Sequence, residues 1–232
     1  MAIFKHFRPL AGIIAALTFL SGTAIADPVE RYVALDVHNP RAFVAAFDNF
    51  RKSGIMDGTT ASLWAATFDG SSPTTHVIAI SYDDYAEMQN VDDRVSQSRE
   101  WSNYLDAIEG TSDVTAISMG VQRLVSGSDW HNHGAGMVFN MTISNAASYA
   151  TEFAKLLDSM DNPGSTRLIE IRAGGEGATH LAMITAPDFA TLNNYVDELF
   201  SSDTYREFAA KVGGIRRINT TSIYRRLMSW ED

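Results

Sequence analysis

Cysteine is absent from this 232-residue chain, which excludes disulfides, thiolate catalysis and every Cys-ligated zinc or iron–sulfur site. Positive charge is scarce: 18 Lys and Arg stand against 28 Asp and Glu, a formal net charge of −10 at pH 7, and the basic residues form no cluster. A chain of this sign repels phosphate backbones, so nucleic acid and anionic membrane surfaces are not expected partners. Ser-His-Asp order, a GxSxG elbow and a dinucleotide fingerprint are missing too. Stability must come from a packed core, which an apolar content of 45% can supply.

Long apolar runs are confined to the start of the chain. There LAGIIAALTFL follows Lys5, His6 and Arg8 and precedes the small residues SGTAIA. The run is too short to span a bilayer, and the basic, apolar, small order reads as an export signal. Ala24 and Ala26 place the expected cleavage after Ala26, so the mature chain begins at Asp27, without a membrane span, in a periplasmic or secreted location. The leader contains two basic residues and no acidic one, which leaves the remainder more acidic still.

What the chain does have is a repeat. TTHVIAISYDDY (74–85) matches ATHLAMITAPDF (178–189) at an offset of 104. Three further blocks keep the same order at slowly falling offsets: YVALDVHN with VFNMTISN, LWAATFDG with LIEIRAGG, and VQRLV with YRRLM. Chance does not keep four blocks in order, and each one-residue step fits in a loop, so the chain is read as a duplication. The division is 1–26 leader, 27–126 first repeat, 127–135 a solvated linker, and 136–232 second repeat.

Periodicity changes in the same order within each repeat. Tyr32 to Val37 alternates as a strand; Asn39 and Pro40 then cap and open a helix carrying Phe43, Phe47 and Phe50, with Asn145, Tyr149, Phe153 and Leu156 at the corresponding places. Two strands follow, joined by a Gly-containing turn, then a second helix over 84–108 or 188–212, then a closing strand. This is an α+β chain with tandem duplicated βαββαβ units, each the ferredoxin-like split unit. Such a unit covers one sheet face with helices and leaves the other in need of a partner. The pattern resembles the dimeric α/β barrel superfamily in a tandem, two-repeat form, over residues 31 to 228. The resemblance implies an intramolecular α/β barrel that needs no oligomer for closure. It also implies a function among cofactor-independent monooxygenases, haem-degrading enzymes, lactone isomerases, chlorite dismutase-like haem proteins and stress-response proteins.

Candidate site residues follow from strand parity. If Val33, Leu35, Val37, Trp64 and Phe68 face the helices, then Tyr32, Asp36 and Thr67 point into the barrel in the first repeat, and Asn140, Thr142, Glu170 and Arg172 in the second. Glu170 and Arg172 either form a structural ion pair or act chemically, Arg172 holding a carboxylate or enolate oxygen while Glu170 or His180 moves a proton. His180 and its counterpart His76 either close a strand end or serve as acid/base or ligand anchors. Catalytic candidates are therefore His180, Glu170 and Arg172; ligand-binding candidates are Asn140, Tyr32, Asp36 and His76.

No metal is expected, since Asp129, His131 and His133 offer no fixed third ligand. No cofactor is expected either: neither second helix carries a His for a haem iron, and the Gly174, Gly175, Gly177 cluster lies between strands as a hairpin turn. Two function classes remain. One is an exported protein that binds a small apolar or aromatic ligand in the barrel, as a simple binder or as a cofactor-independent monooxygenase or isomerase. The other is a noncatalytic envelope or interaction protein, whose lumen would be filled by its own side chains.

Overall fold

Helix starts recur at matched places because the repeats carry matched capping side chains. Asn39 Oδ1 accepts from Ala42 N–H at 3.3 Å, and Asn145 Oδ1 accepts from Ser148 N–H at 3.1 Å. Asp84 and Asp188 cap the next helices through the amides of Glu87 and Thr191, each at 2.8 Å. The computed structural model describes residues 27–231, so the leader read at 1–26 lies outside the described residues. Its first half runs β1 (Val29–Val37), α1 (Pro40–Lys52), β2 (Thr60–Phe68), β3 (His76–Tyr82), α2 (Tyr85–Ser96), α3 (Arg99–Ile108), β4 (Ser112–Gly127). The second half runs β5 (Ala135–Ile143), α4 (Ala146–Asp158), β6 (Ser165–Ala173), β7 (His180–Ala186), α5 (Phe189–Ser201), α6 (Asp203–Val212), β8 (Arg216–Trp230).

The single helices expected over 84–108 and 188–212 are each two. Ser98 and Ser202 interrupt them: each hydroxyl accepts the amide three residues on, Trp101 or Tyr205, at 3.0 Å. A serine offering that bond opens a new helix in place of continuing the old one. The break lets α3 and α6 turn Tyr104 and Phe208 onto α1 and α4. Phe50 stacks on Tyr104 with ring centroids 4.9 Å apart, and Tyr149 meets Phe208 at 5.7 Å. Each half thus has its own core between sheet and helices, built on Phe43, Phe47 and Leu63 in one and on Phe153, Leu156 and Leu168 in the other.

The eight strands close into one barrel in the order β1-β3-β2-β8-β5-β7-β6-β4. The expected intramolecular barrel is therefore present, closed within one chain. Closure depends on β4 and β8, of 16 and 15 residues, each roughly 50 Å long at the rise of a strand. The first part of β4 pairs with β1 of its own half, and its last part pairs with β6 of the other. β8 likewise pairs first with β5, then with β2.

Where β4 passes from one half to the other stands Gly120. A Cβ there would lie 2.4 Å from Ile169 Cγ2 and 3.0 Å from the Glu170 carbonyl oxygen. Gly120→Ala is expected to destabilise the protein by about 1 to 3 kcal/mol through overpacking at the seam. Urea unfolding checks this, and an unchanged midpoint would mean that β6 does not approach β4 so closely.

The connector between halves is not a solvated linker. Residues Trp130–Asn132 form a single 3₁₀ turn started by Asp129, and Trp130 and His133 are 7% and 4% exposed. It folds back over the barrel end, where the Trp130 ring lies on Arg167 and His133 bonds Thr185. Among the described residues no helix is long and apolar enough to cross a membrane.

Candidate functional site

The bare faces of the two sheets meet around a cavity of about 750 Å³, within the usual range of roughly 300 to 1,000 Å³ for small-molecule sites. Tyr32, Trp64, Val77, Ala79, Val138, Leu181, Met183 and Tyr224 form its walls, with Ser118, Asn140 and Thr185 as polar points. The mouth lies between the β2–β3 and β6–β7 hairpins, Asp69–Thr74 and Gly174–Ala178. The glycine cluster is the hairpin turn expected of it: Gly174 and Gly177 have φ of 72° and 92°, and a Cβ on Gly174 would collide with the Ile117 carbonyl.

Charge is buried at the floor of this lumen. Glu30 and Arg167 form an ion pair with side chains 2% and 0% exposed. The Tyr32 hydroxyl donates to the second carboxylate oxygen of Glu30. Trp130 covers the other side of Arg167, its ring centroid 3.8 Å from the guanidinium carbon. Met183 Sδ lies 3.4 Å from Tyr32 Oη and accepts from Arg167 Nη2 at 3.5 Å, so a soft thioether borders this network on the lumen side. Burial, then the neighbouring Glu30 charge, pushes the Tyr32 phenol well above its ordinary value. Burial and nearby Asp69 push Tyr224 up to about 12.

Of the sequence candidates, Tyr32 and Asn140 line the lumen. Asn140 Nδ2 donates to Thr220 Oγ1 at 2.8 Å, and Thr142 Oγ1 donates to the Gly177 carbonyl at the mouth. Asp36 shares the face of Tyr32 but sits at the strand end, 3.9 Å from His38 Nδ1. Glu170 and Arg172 are not in the lumen. They do pair with each other, at 3.1 Å, but on the outer side, where Arg123 Nε also reaches Glu170 at 2.7 Å. His180 faces Glu170 across the β6–β7 ladder and belongs to this outer group, with Nδ1 2.9 Å from Thr179 Oγ1. His76 makes the same bond to Thr75 Oγ1 at the same distance, so both imidazoles close strand ends. Thr67 is exposed, and Phe68, expected toward the helices, is 59% exposed and packs against Phe189.

The parity error has one source. Trp64 points into the lumen, with Nε1 donating to Ser62 Oγ at 2.7 Å, while Leu63 joins the helix-side core. Since Leu63 and Trp64 correspond to Leu168 and Ile169, anchoring Trp64 on the wrong face turned Glu170 and Arg172 inward by one residue. Sequence reasoning missed Glu30, Arg167 and Trp130. A signal existed: at the alignment offsets Glu30 corresponds to Gly136 and Arg167 to Ser62, so one copy holds charge where the other holds a small residue.

The connector histidines do not converge. His131 Nδ1 is 2.7 Å from Asp129, whereas His133 lies between Thr185 Oγ1 at 2.8 Å and Ser128 Oγ at 3.1 Å. Burial holds His76, His133 and His180 below the ordinary imidazole value of 6.5; at His133 the charge of Arg226 adds to it, while Asp129 opposes. The unfolded chain therefore takes up protons at these positions before the folded protein does, and stability falls as pH drops through 6.5. Surface His38, raised by Asp113, acts in the opposite sense. The urea midpoint is expected to be lower at pH 6.0 than at 7.5, with His133→Gln reducing the difference; a midpoint that rises on acidification would contradict the buried neutral imidazoles.

No protein-family model and no curated protein sequence matches the chain. Solved structures do. A candidate monooxygenase from Fusobacterium nucleatum superposes with a TM-score of 0.59 at 11% identity, over 89% of this chain and 95% of its own. An anthrone oxidase-like protein gives 0.56 at 9% identity, over 88% and 92%. A haem-binding protein from Thermus thermophilus gives 0.51 at 10% identity, over 87% and 92%. The chain has the ferredoxin-like dimeric α/β barrel fold, with both halves in one polypeptide. The residues present do not fit a haem. Among the described residues no histidine lines the lumen, its phenols are held protonated by burial, and the cavity between the second sheet and α4–α6 measures about 40 Å³, too small for a porphyrin.

Proposed function

We propose that this protein binds a small apolar or aromatic molecule inside its barrel. The observation that carries the reading is the open lumen of about 750 Å³ with aromatic and aliphatic walls. An envelope protein using the fold only as a stable body would fill that space, as each helix-side core is filled. The neighbours described as a candidate monooxygenase and as anthrone oxidase-like support a small-molecule barrel at the level of fold. A catalytic form of the reading, cofactor-independent oxygenation or isomerisation, draws on the Tyr32 hydroxyl backed by Glu30, the acid–base group nearest the lumen floor.

The test is a calorimetric titration with 2-naphthalenemethanol, a neutral aromatic probe. One saturable site is expected, and Ala79→Trp, which grows a ring into the lumen, is expected to weaken it by about tenfold or more, or roughly 1.4 kcal/mol. Arg172→Ala, outside the lumen, should leave it unchanged. Absence of binding, or equal affinity for wild type and Ala79→Trp, would remove the reading.

Export belongs to the same proposal. The basic, apolar, small order of residues 1–26 supports a mature chain starting at Asp27 and a periplasmic or secreted protein. Intact mass after expression in a Gram-negative host should show that start, and a periplasmic species retaining residues 1–26 would contradict it.

A further inference from the structure

The lumen lining contains two charged side chains, Asp69 and Glu176, both carboxylates at the mouth, and no lysine, arginine or histidine among the described residues. Arg167, the cation buried beneath the floor, already faces Glu30. Arg217 stands outside the lining, exposed, with Nε donating to Asn219 Oδ1 at 3.0 Å. An anionic ligand would therefore lose its hydration inside the barrel and meet no free positive charge, the costly case for a buried ion.

A cationic ligand meets the opposite arrangement. Asp69 is fixed by the Ser222 hydroxyl, which donates to its Oδ1. The Asp69 charge reaches Tyr224, helping to hold that phenol neutral. On the barrel wall, Ala66 of β2 lies opposite Tyr224 of β8, so Trp64, two residues along β2, is its diagonal neighbour. A carboxylate beside the Tyr224 ring at the mouth of an apolar cavity, with the Trp64 ring further in along the same wall, is a setting suited to an ammonium group on an aromatic body, which gains from the ring face and from the counter-charge together.

Resting on the small-molecule reading above, we infer that the barrel selects amine-bearing aromatic compounds, with the ring inward toward Leu181 and Met183 and the ammonium at Asp69 and Tyr224. Carboxylate-bearing analogues of the same shape are rejected. Asp69 is the specificity-determining residue, and Glu176 on the facing hairpin adds to the local negative potential.

Three probes of one shape test this on the full mature chain: 2-naphthylmethylamine, 2-naphthalenemethanol and 2-naphthoate, titrated at pH 7.5. The amine should bind about tenfold or more tighter than the naphthoate, a difference of the size expected when one partner of a charge-assisted contact is missing, with the neutral alcohol between them. Asp69→Asn should bring the amine to the affinity of the alcohol, and a cooperative urea transition at the wild-type midpoint shows that the variant is folded. Glu176→Gln should produce a smaller loss for the amine. Naphthoate binding as tightly as the amine overturns the inference while the small-molecule reading stands, and so does an amine affinity unaffected by both variants. Failure of all three probes to bind overturns that reading and this inference with it.

Discussion

Arg167→Met should cost about 3 to 5 kcal/mol of stability, the loss expected when one member of a buried ion pair is removed and the other is left without a counter-charge. Glu30 would remain 2% exposed, facing the Tyr32 hydroxyl alone. Glu30→Gln should cost a similar amount, since Arg167 is fully enclosed between the carboxylate, Trp130 and Met183. The triple change Glu30→Leu, Tyr32→Phe, Arg167→Met removes charge, counter-charge and the hydroxyl bonded to them, and should recover most of the loss, because a well-packed apolar set is often as stable as the pair it replaces. Urea unfolding of the three variants decides the matter. Single variants within about 1 kcal/mol of wild type, the range of exposed pairs, would show that the floor is open to water.

Trp130→Ala should be nearly as damaging, at about 3 to 5 kcal/mol, the usual cost of deleting a large buried aromatic ring. The ring is 7% exposed and stacks on Arg167, so its loss removes both packing and the cover over a buried cation. His131→Ala, one residue on, removes an imidazole that packs on the Trp130 ring at 4.0 Å and pairs with a half-exposed carboxylate, and should cost less, about 1 kcal/mol. If the two substitutions cost the same small amount, the connector does not close the barrel. The contrast also reports on the site, because opening the floor should weaken lumen ligands along with the fold.

Much of the architecture was legible in the chain. The duplication, the βαββαβ order, the asparagine caps and the aromatic faces of α1 and α4 all follow from local chemistry that is written twice, and each copy checks the other. The serine breaks at Ser98 and Ser202 were legible in principle, being themselves a repeated cap, but they lie inside an unbroken helical pattern. Tyr32 and Asn140 fall on the lumen side, as expected from the unbroken apolar sets Val33, Leu35, Val37 in β1 and Phe139, Met141, Ile143 in β5 on the opposite face.

Only the tertiary structure decided which face of β2 and β6 is the lumen. A strand's period of two separates its residues into two sets but does not say which set faces which layer, and both faces of these strands carry large apolar side chains buried in different cores. One misplaced anchor, Trp64, therefore moved Glu170 and Arg172 across the sheet. The pairing of Glu30 with Arg167, 137 residues apart, was likewise beyond local pattern. It exists because β4 and β8 are long enough to leave their own sheets and join the other half. The blocks VQRLV and YRRLM marked the closing strands in the sequence, but the partner edge each strand reaches is fixed only when the barrel closes.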